Sequence, residues 1–147
     1  MIGEPEATAL RSSFALMDVS AHLQRVSGHY LRSAGGLTYV QFRILMRLAF
    51  TDRPSLRMHE LAQGAVISRS GLTYQVTTLE ARGLCTRSAA QDDDRGVTAS
   101  ITGDGRAVVE RLAAGYAEVV RQAFLGLRPE HTRDLTAILA AVGVERS

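Results

Sequence analysis

Residues 68–83 have the sequence SRSGLTYQVTTLEARG, and this segment decides how the rest of the chain is interpreted. Its apolar side chains Leu72, Val76 and Leu79 recur at positions i, i+4 and i+7, which predicts a helix that buries one narrow stripe. Ser68 is a favourable N-cap, and the glycine that ends the segment is a favourable stop. The opposite face carries short polar side chains and one aromatic ring, so we expect that face to stay exposed.

A second, shorter helix is predicted immediately before this segment. Residues 57–63 have helical character, and Leu61 and Ala62 are expected to point inward. Gly64 and the apolar pair that follows it mark a tight turn into the longer helix. Two helices joined by a tight turn, the second with a polar outer face, form the helix-turn-helix arrangement.

The hydrophobic period changes after the longer helix. Residues 84–87 and 97–101 are short and rich in residues that favour strands. The polar residues 88–96 lie between them and include three consecutive aspartates followed by Arg95 and Gly96. This pattern predicts a β-hairpin with a long tip, which is the wing of a winged helix.

Helices are predicted on both sides of this unit. Residues 6–32 form one long amphipathic helix, and the next helix begins at a capping box formed by Thr38 and Gln41. The buried face of that second helix is predicted to be Phe42, Leu45, Leu48 and Ala49. A fifth helix is predicted from residue 103 to about 126, and a sixth begins at Pro129 and runs through Val142. The predicted fold class is therefore mainly α with a small β-hairpin wing (α+β).

Composition restricts the function classes without choosing one. All 17 basic side chains are arginine, set against 15 acidic ones, for a net charge of +2. Arginine binds phosphate and guanine edges in a bidentate way that lysine cannot. No run approaches the roughly 18 apolar residues of a membrane span. The first residues are acidic and lack the basic start of a signal peptide, so the expected location is the cytoplasm.

Several short motifs occur in a characteristic order and spacing. They are Leu61-Ala62, Ser68, LEARGL at 79–84, DDRG at 93–96 and ITGDG at 101–105. Together, from residue 37 to about 112, they resemble the MarR (multiple antibiotic resistance regulator) family. The resemblance implies a homodimer whose first, fifth and sixth helices interlock, while two winged helices bind a palindromic operator in double-stranded DNA.

This resemblance implies a three-part organisation. Residues 1–36 would be an N-terminal dimerisation helix, 37–102 the winged helix-turn-helix DNA-binding lobe, and 103–147 the C-terminal dimerisation helices. The expected function is a sequence-specific transcriptional regulator, a repressor, that a small organic effector releases from DNA. A winged helix used as a protein-interaction module and a sequence-blind architectural DNA binder remain as alternatives.

Nine residues are candidates for DNA contact. They are Ser68, Arg69, Ser70, Thr73, Tyr74, Gln75 and Thr77 on the longer helix, and Asp93 and Arg95 on the wing. Gln75 can pair bidentately with adenine, and Arg69 with guanine or phosphate. Asp93 is expected to orient Arg95, which would enter an adjacent narrow minor groove.

The resemblance also implies a small-molecule cavity between the dimerisation helices and the DNA-binding lobe. The candidates there are His22, His29, Tyr39 and Arg43, which would offer an aromatic wall and a cation to an aromatic or carboxylic effector.

Catalysis and metal binding are not predicted. The chain shows no convergent set of acid, base and nucleophile, and its four histidines are scattered along the sequence. We therefore expect no catalytic residue, no metal site and no cofactor. Cys85, the only cysteine, excludes an intramolecular disulfide and is expected to be a small buried hydrophobic side chain.

Overall fold

Six α-helices and three short strands follow one another in residues 2–65, 67–90 and 96–142, the parts of the chain that the computed structural model describes. They are α1 Glu4–Gly35, α2 Tyr39–Ala49, β1 Leu56–Arg57, α3 Met58–Ala65, α4 Arg69–Ala81, β2 Cys85–Ala89, β3 Val97–Ile101, α5 Gly103–Ala123 and α6 Pro129–Ala141. The mainly helical architecture with a small hairpin confirms the predicted fold class.

The helix starts follow the capping signals in the sequence. At α2, Thr38 Oγ1 accepts a hydrogen bond from the Gln41 backbone N–H at 3.1 Å, and Gln41 Oε1 accepts one from the Thr38 N–H at 3.0 Å. This reciprocal pair confirms the predicted capping box. Thr102 caps α5 by accepting a hydrogen bond from the Gly105 N–H at 3.0 Å. The predicted end of α5 is wrong by about one turn, since the helix ends at Ala123.

The sheet has one strand that the sequence did not predict. The strand order is β1-β3-β2, and both pairs are antiparallel. Leu56 pairs with Ala99 and Arg57 with Thr98, so β1 adds a third strand to the hairpin. The prediction that Arg57 begins a helix is therefore wrong. A strand of two residues has no measurable period, and only its pairing partner defines it.

One apolar core joins the winged unit to the C-terminal half of α1. Its buried side chains are Leu31, Leu37, Phe42, Ile44, Leu45, Leu48, Leu56, Leu61, Ala62, Leu72, Val76, Leu79, Leu84, Cys85, Ala99, Val109 and Leu112. The predicted α4 stripe lies entirely in this core. Ala49, predicted to be buried, is half-buried at the end of α2.

The flanking helices, in contrast, carry large apolar side chains in contact with solvent. These include Leu10, Phe14, Leu16, Met17 and Val19 in α1, and Ile138 and Leu139 in α6. No residue of α6 is buried within the protomer. Such an extended exposed apolar surface is typical of a protein interface.

The first turn of α5 packs closely against Gly83 and Leu84, the two residues that precede β2. Leu84 O accepts a hydrogen bond from the Thr102 N–H at 3.2 Å, and Thr102 Oγ1 donates to Gly83 O at 2.6 Å. A Cβ at Gly105 would overlap the Leu84 carbonyl oxygen and lie 2.9 Å from an Ile101 side-chain carbon. Only glycine lets α5 approach the wing strands this closely.

We expect Gly105→Ala to lower the free energy of unfolding by about 1–3 kcal/mol, the usual range for overpacking. Chemical denaturation of the purified variant measures it. Gly103→Ala is the matched control, because a Cβ at Gly103 meets no atom within 4 Å. Equal stability of the two variants would contradict the close approach.

Candidate nucleic-acid interface

The buried stripe of α4 fixes which of its side chains face solvent. Leu72, Val76 and Leu79 are at most 1% exposed, so the helix cannot rotate about its axis without exposing them. At its start, Ser68 Oγ accepts a hydrogen bond from the Gly71 N–H at 3.1 Å. This bond satisfies one of the unpaired amide groups at the start of the helix.

Most of the predicted contact residues are exposed, either at the start of α4 or on its face opposite the stripe. The exposed side chains are Ser68, Arg69, Ser70, Thr73, Tyr74 and Thr77. Tyr74 is the largest of them and is 69% exposed. Thr73 Oγ1 donates a hydrogen bond to the backbone carbonyl of Arg69, one turn earlier in the helix, at 3.0 Å. The α4 outer face, as we call these six residues, consists of four short hydroxyl side chains together with Arg69 and the aromatic ring of Tyr74.

Gln75 departs from this set. Its side chain is half-buried, and its Oε1 accepts a hydrogen bond from Gln41 Nε2 at 3.0 Å. Gln41 is itself a buried part of the α2 capping box. The structure therefore places Gln75 between α2 and α4 at the edge of the outer face, and its predicted adenine contact stays a prediction.

Arginines converge beside the α4 outer face. A cleft of about 430 Å³ lies between α3, α4 and the wing, and Arg57, His59, Arg69, Thr73 and Arg87 are among its lining residues. Of these, the sequence had indicated only Arg69 and Thr73. The pairing of β1 with β3 brings Arg57 to the wing, and no local pattern predicts that pairing.

One ion pair ties the wing to α4. Glu80 near the end of α4 accepts hydrogen bonds from the backbone N–H and from Nε of Arg87 in β2, both at 2.8 Å. The side-chain hydrogen bond from Arg87, followed by the backbone one, lowers the pKa of Glu80 below its ordinary value. The carboxylate is therefore ionised at neutral pH, and the pair joins β2 to the end of α4.

The wing tip itself lies outside the described residues. Asp93 and Arg95 fall there, and their predicted roles stay predictions. On the near side of the tip, the Ala90 N–H donates to Gly96 O at 2.8 Å, so the hairpin stays paired up to that point.

Two of the four predicted ligand residues come together. Arg43 Cζ lies 5.7 Å from the centre of the Tyr39 ring, within cation–π distance. Tyr116 of α5 belongs to the same cluster, and its ring centre is 5.0 Å from that of Phe42. Burial is the main cause that raises the pKa of Tyr116, and hydrogen bonding with the buried Ser27 opposes it. The sequence did not indicate Ser27 or Tyr116.

The other two predicted ligand residues do not reach this cluster within the protomer. His22 and His29 are exposed and lie seven residues apart, on one face of α1. That face points away from Ser27, which belongs to the buried face. His22 Nδ1 is instead 2.9 Å from Nη2 of Arg25, one turn along the same helix.

Cys85 is a buried thiol, as predicted. It is 1% exposed, and its Sγ lies 3.7 Å from the carbonyl oxygen of Val76. Burial raises the pKa of the Cys85 thiol to about 11. Among the described residues, no three His, Cys, Asp or Glu side chains are grouped as metal ligands, and no helix could span a membrane.

Comparison with known sequences points to one family. A sequence profile of the MarR family matches residues 37–97. The homoprotocatechuate degradative operon repressor of Escherichia coli is 35% identical over 103 residues, which are 70% of this chain and 68% of that protein.

Comparison with solved structures gives the same family. Sco3205 is a MarR family transcriptional regulator from Streptomyces coelicolor, solved in complex with DNA. It is 33% identical, with a TM-score of 0.83 over 97% of this chain and 88% of Sco3205. The MarR family protein Rv2887 of Mycobacterium tuberculosis, solved with salicylic acid, is 27% identical. Its TM-score is 0.69 over 89% of this chain and 95% of Rv2887.

The position of Gln75 gives a test that separates a base contact from a packing role. If Gln75 contacts a base, Gln75→Ala relaxes the preference at one or two base pairs per half-site, by about 1–3 kcal/mol each. Competitive binding to duplexes substituted one base pair at a time measures this. Gln41→Ala is the control, because it removes the same hydrogen bond, together with one bond of the α2 capping box, without changing the α4 surface. Equal effects of the two variants on base preference would assign Gln75 to packing alone.

Proposed function

The chain belongs to the MarR family, and we propose that it is a transcriptional repressor that binds a palindromic operator as a homodimer. The observation that carries this proposal is the α4 outer face, exposed and polar, beside a cleft lined by three arginines. An α-helix with such a face fits the major groove, and Arg69 in the cleft between helix and wing offers a cation to the adjacent phosphates, while the charge of Arg87 is partly compensated by Glu80. Such a regulator acts in the cytoplasm and requires no catalysis.

The chemistry of the α4 outer face suits base recognition. Short hydroxyl side chains let the helix approach the base edges closely, and Tyr74 offers apolar contact to a thymine methyl group. Arg69 lies at the helix start and also lines the cleft, where it can contact either guanine or phosphate. Asp93 and Arg95 remain our candidates for the minor groove.

The exposed apolar surface of α1 and α6 supplies the dimer. These helices bury little within the protomer, and α6 buries no residue at all. A second copy of the chain would cover the exposed side chains of both helices through a two-fold symmetric interface. Two copies of α4 then face DNA in a symmetric pair, which predicts a palindromic operator.

Selection of bound duplexes from a random pool tests this function. We expect enrichment of one palindrome with two equivalent half-sites, and a steep loss of affinity with salt. Arg69→Ala should reduce the salt slope by up to about one unit for each lost phosphate contact. Arg121→Ala is the control, since Arg121 is paired with Glu118 on α5, remote from the cleft. Binding without enrichment would indicate an architectural protein, and no duplex binding would indicate a protein-interaction module.

We further propose that a small aromatic acid releases the protein from DNA. The cluster of Tyr39, Arg43, Tyr116 and Ser27 combines a guanidinium group, two phenol hydroxyls and an aromatic wall. It lies where α1, α2 and α5 meet, between the dimer helices and the winged unit. A ligand there would favour one relative placement of the two parts and so change the affinity for DNA. His22 and His29 could reach this ligand only from a second copy.

Salicylate is a suitable probe, because Rv2887 was solved with salicylic acid. We expect salicylate to weaken operator binding by the wild-type chain. In Arg43→Gln the concentration required should rise about tenfold or more, since a charge-assisted hydrogen bond contributes roughly 1.5–3 kcal/mol. Arg47→Gln, one turn along α2 and exposed, is the control and should respond like the wild type. An unchanged operator affinity across a panel of phenolic and carboxylic compounds would refute the effector.

A further inference from the structure

Three successive carbonyl groups at the end of α1 receive hydrogen bonds from arginine side chains. Arg82 Nη1 donates to Gly36 O at 2.8 Å, and Arg82 Nη2 donates to Gly35 O at 3.2 Å. Arg111 Nη1 donates to Ala34 O at 3.3 Å. Together these bonds form what we call the α1 clamp.

The end of α1 needs such donors. The last carbonyls of a helix have no partner within the helix, and the helix dipole places partial negative charge there. Gly36 has a φ of 61°, and this left-handed conformation ends the helix. The carbonyl groups of Gly35 and Gly36 accept hydrogen bonds from outside the helix. A guanidinium group with several donors in one plane can satisfy two of these oxygens at once, and it adds a favourable charge.

The two arginines come from different parts of the molecule. Arg111 belongs to α5, which packs along α1. Arg82 is the C-cap residue of α4, 46 residues from Gly36 in the sequence. The remaining contacts of α4 are mainly with α3, α2 and β2, within the winged unit. Arg82 therefore makes a direct connection between α4, the helix proposed to face DNA, and α1, which carries part of the exposed apolar surface.

We propose that Arg82 is a positioning residue that sets the distance between the two copies of α4, and hence the half-site spacing that the dimer accepts. This inference rests on the proposed function. In the proposed dimer, each α1 is held by its contacts with the second copy. An α4 that Arg82 connects to α1 can therefore occupy only a narrow range of positions relative to the two-fold axis. Without Arg82, α4 keeps its buried stripe and its outer face. The shared apolar core still joins the winged unit to α1, but the polar connection between α4 and the end of α1 is lost, so the position of α4 varies over a wider range.

The test uses the selected operator with its spacer lengthened or shortened one base pair at a time. One base pair shifts a half-site by about 3.4 Å and rotates it by about a tenth of a turn. The wild-type protein should lose tenfold or more in affinity for a spacer changed by one base pair. In Arg82→Ala this loss should shrink to threefold or less, while the preference for each base of the half-site stays unchanged. Arg82→Lys, which keeps the charge but donates from a single nitrogen atom, should restore part of the spacing preference.

Arg111→Ala is the matched control. Arg111 Nη1 donates to the carbonyl of Ala34 at 3.3 Å, which is the same kind of bond at the same end of α1. That bond joins α5 to α1 and involves no residue of the winged unit, so the spacing profile should match the wild type. A second measurement is the distance between spin labels attached at Ser70→Cys in the two copies without DNA. We expect a narrow distribution that Arg82→Ala broadens.

The outcomes separate the two proposals. Failure of the wild-type chain to select any palindrome overturns the proposed function. A wild-type spacing profile in Arg82→Ala, or a flattened one in Arg111→Ala as well, overturns the role of Arg82. Loss of half-site base preference in Arg82→Ala also overturns it, because Arg82 would then hold α4 itself rather than its position. If Arg82→Ala does not fold, the spacing profile of Arg82→Lys decides alone, and a profile equal to the wild type refutes the proposal.

Discussion

The burial of one narrow apolar stripe of α4 in the core determines which side chains of that helix face solvent. Leu72, Val76 and Leu79 are at most 1% exposed, and burying each such side chain contributes roughly 1.5–3 kcal/mol. A rotation of α4 by one residue would bring polar side chains into the core and apolar ones out of it. The direction of the α4 outer face is thus set by hydrophobic burial, not by any polar contact that it makes.

The elements that the sequence predicts well are those with a local signal. Helix α2 has a capping box followed by a helical apolar period, and α4 has an N-cap and a stripe, so both start where expected. The strand β1 and the arginine cleft depend instead on pairing between residues about 40 positions apart, which no local pattern contains. Gln75 is a different case. It lies about 60° from the stripe on a helical wheel, so the spacing of the α4 sequence is sufficient to predict that the Gln75 side chain is half-buried.

Arginine serves several physical roles in this chain, which explains why the net charge says little about its partner. Arg82, Arg106 and Arg111 donate to backbone carbonyls at helix ends. Arg87 is held by Glu80, so its charge is partly compensated while its position is fixed. Only placement in the fold distinguishes these structural cations from Arg69, which lies exposed between helix start and cleft. Counting charges in the sequence cannot make that distinction.

The burial of Cys85 determines how readily reactive small molecules can modify its thiol. With a thiol pKa of about 11, roughly one molecule in ten thousand carries the thiolate at neutral pH. Peroxides, electrophiles and disulfides all react through the thiolate, and the closed core around Cys85 denies them access as well. Oxidative stress and alkylating compounds therefore have no chemical entry point at this sulfur. The wing strand that carries Cys85 therefore keeps its packing in the presence of oxidants and electrophiles that would modify an exposed thiol.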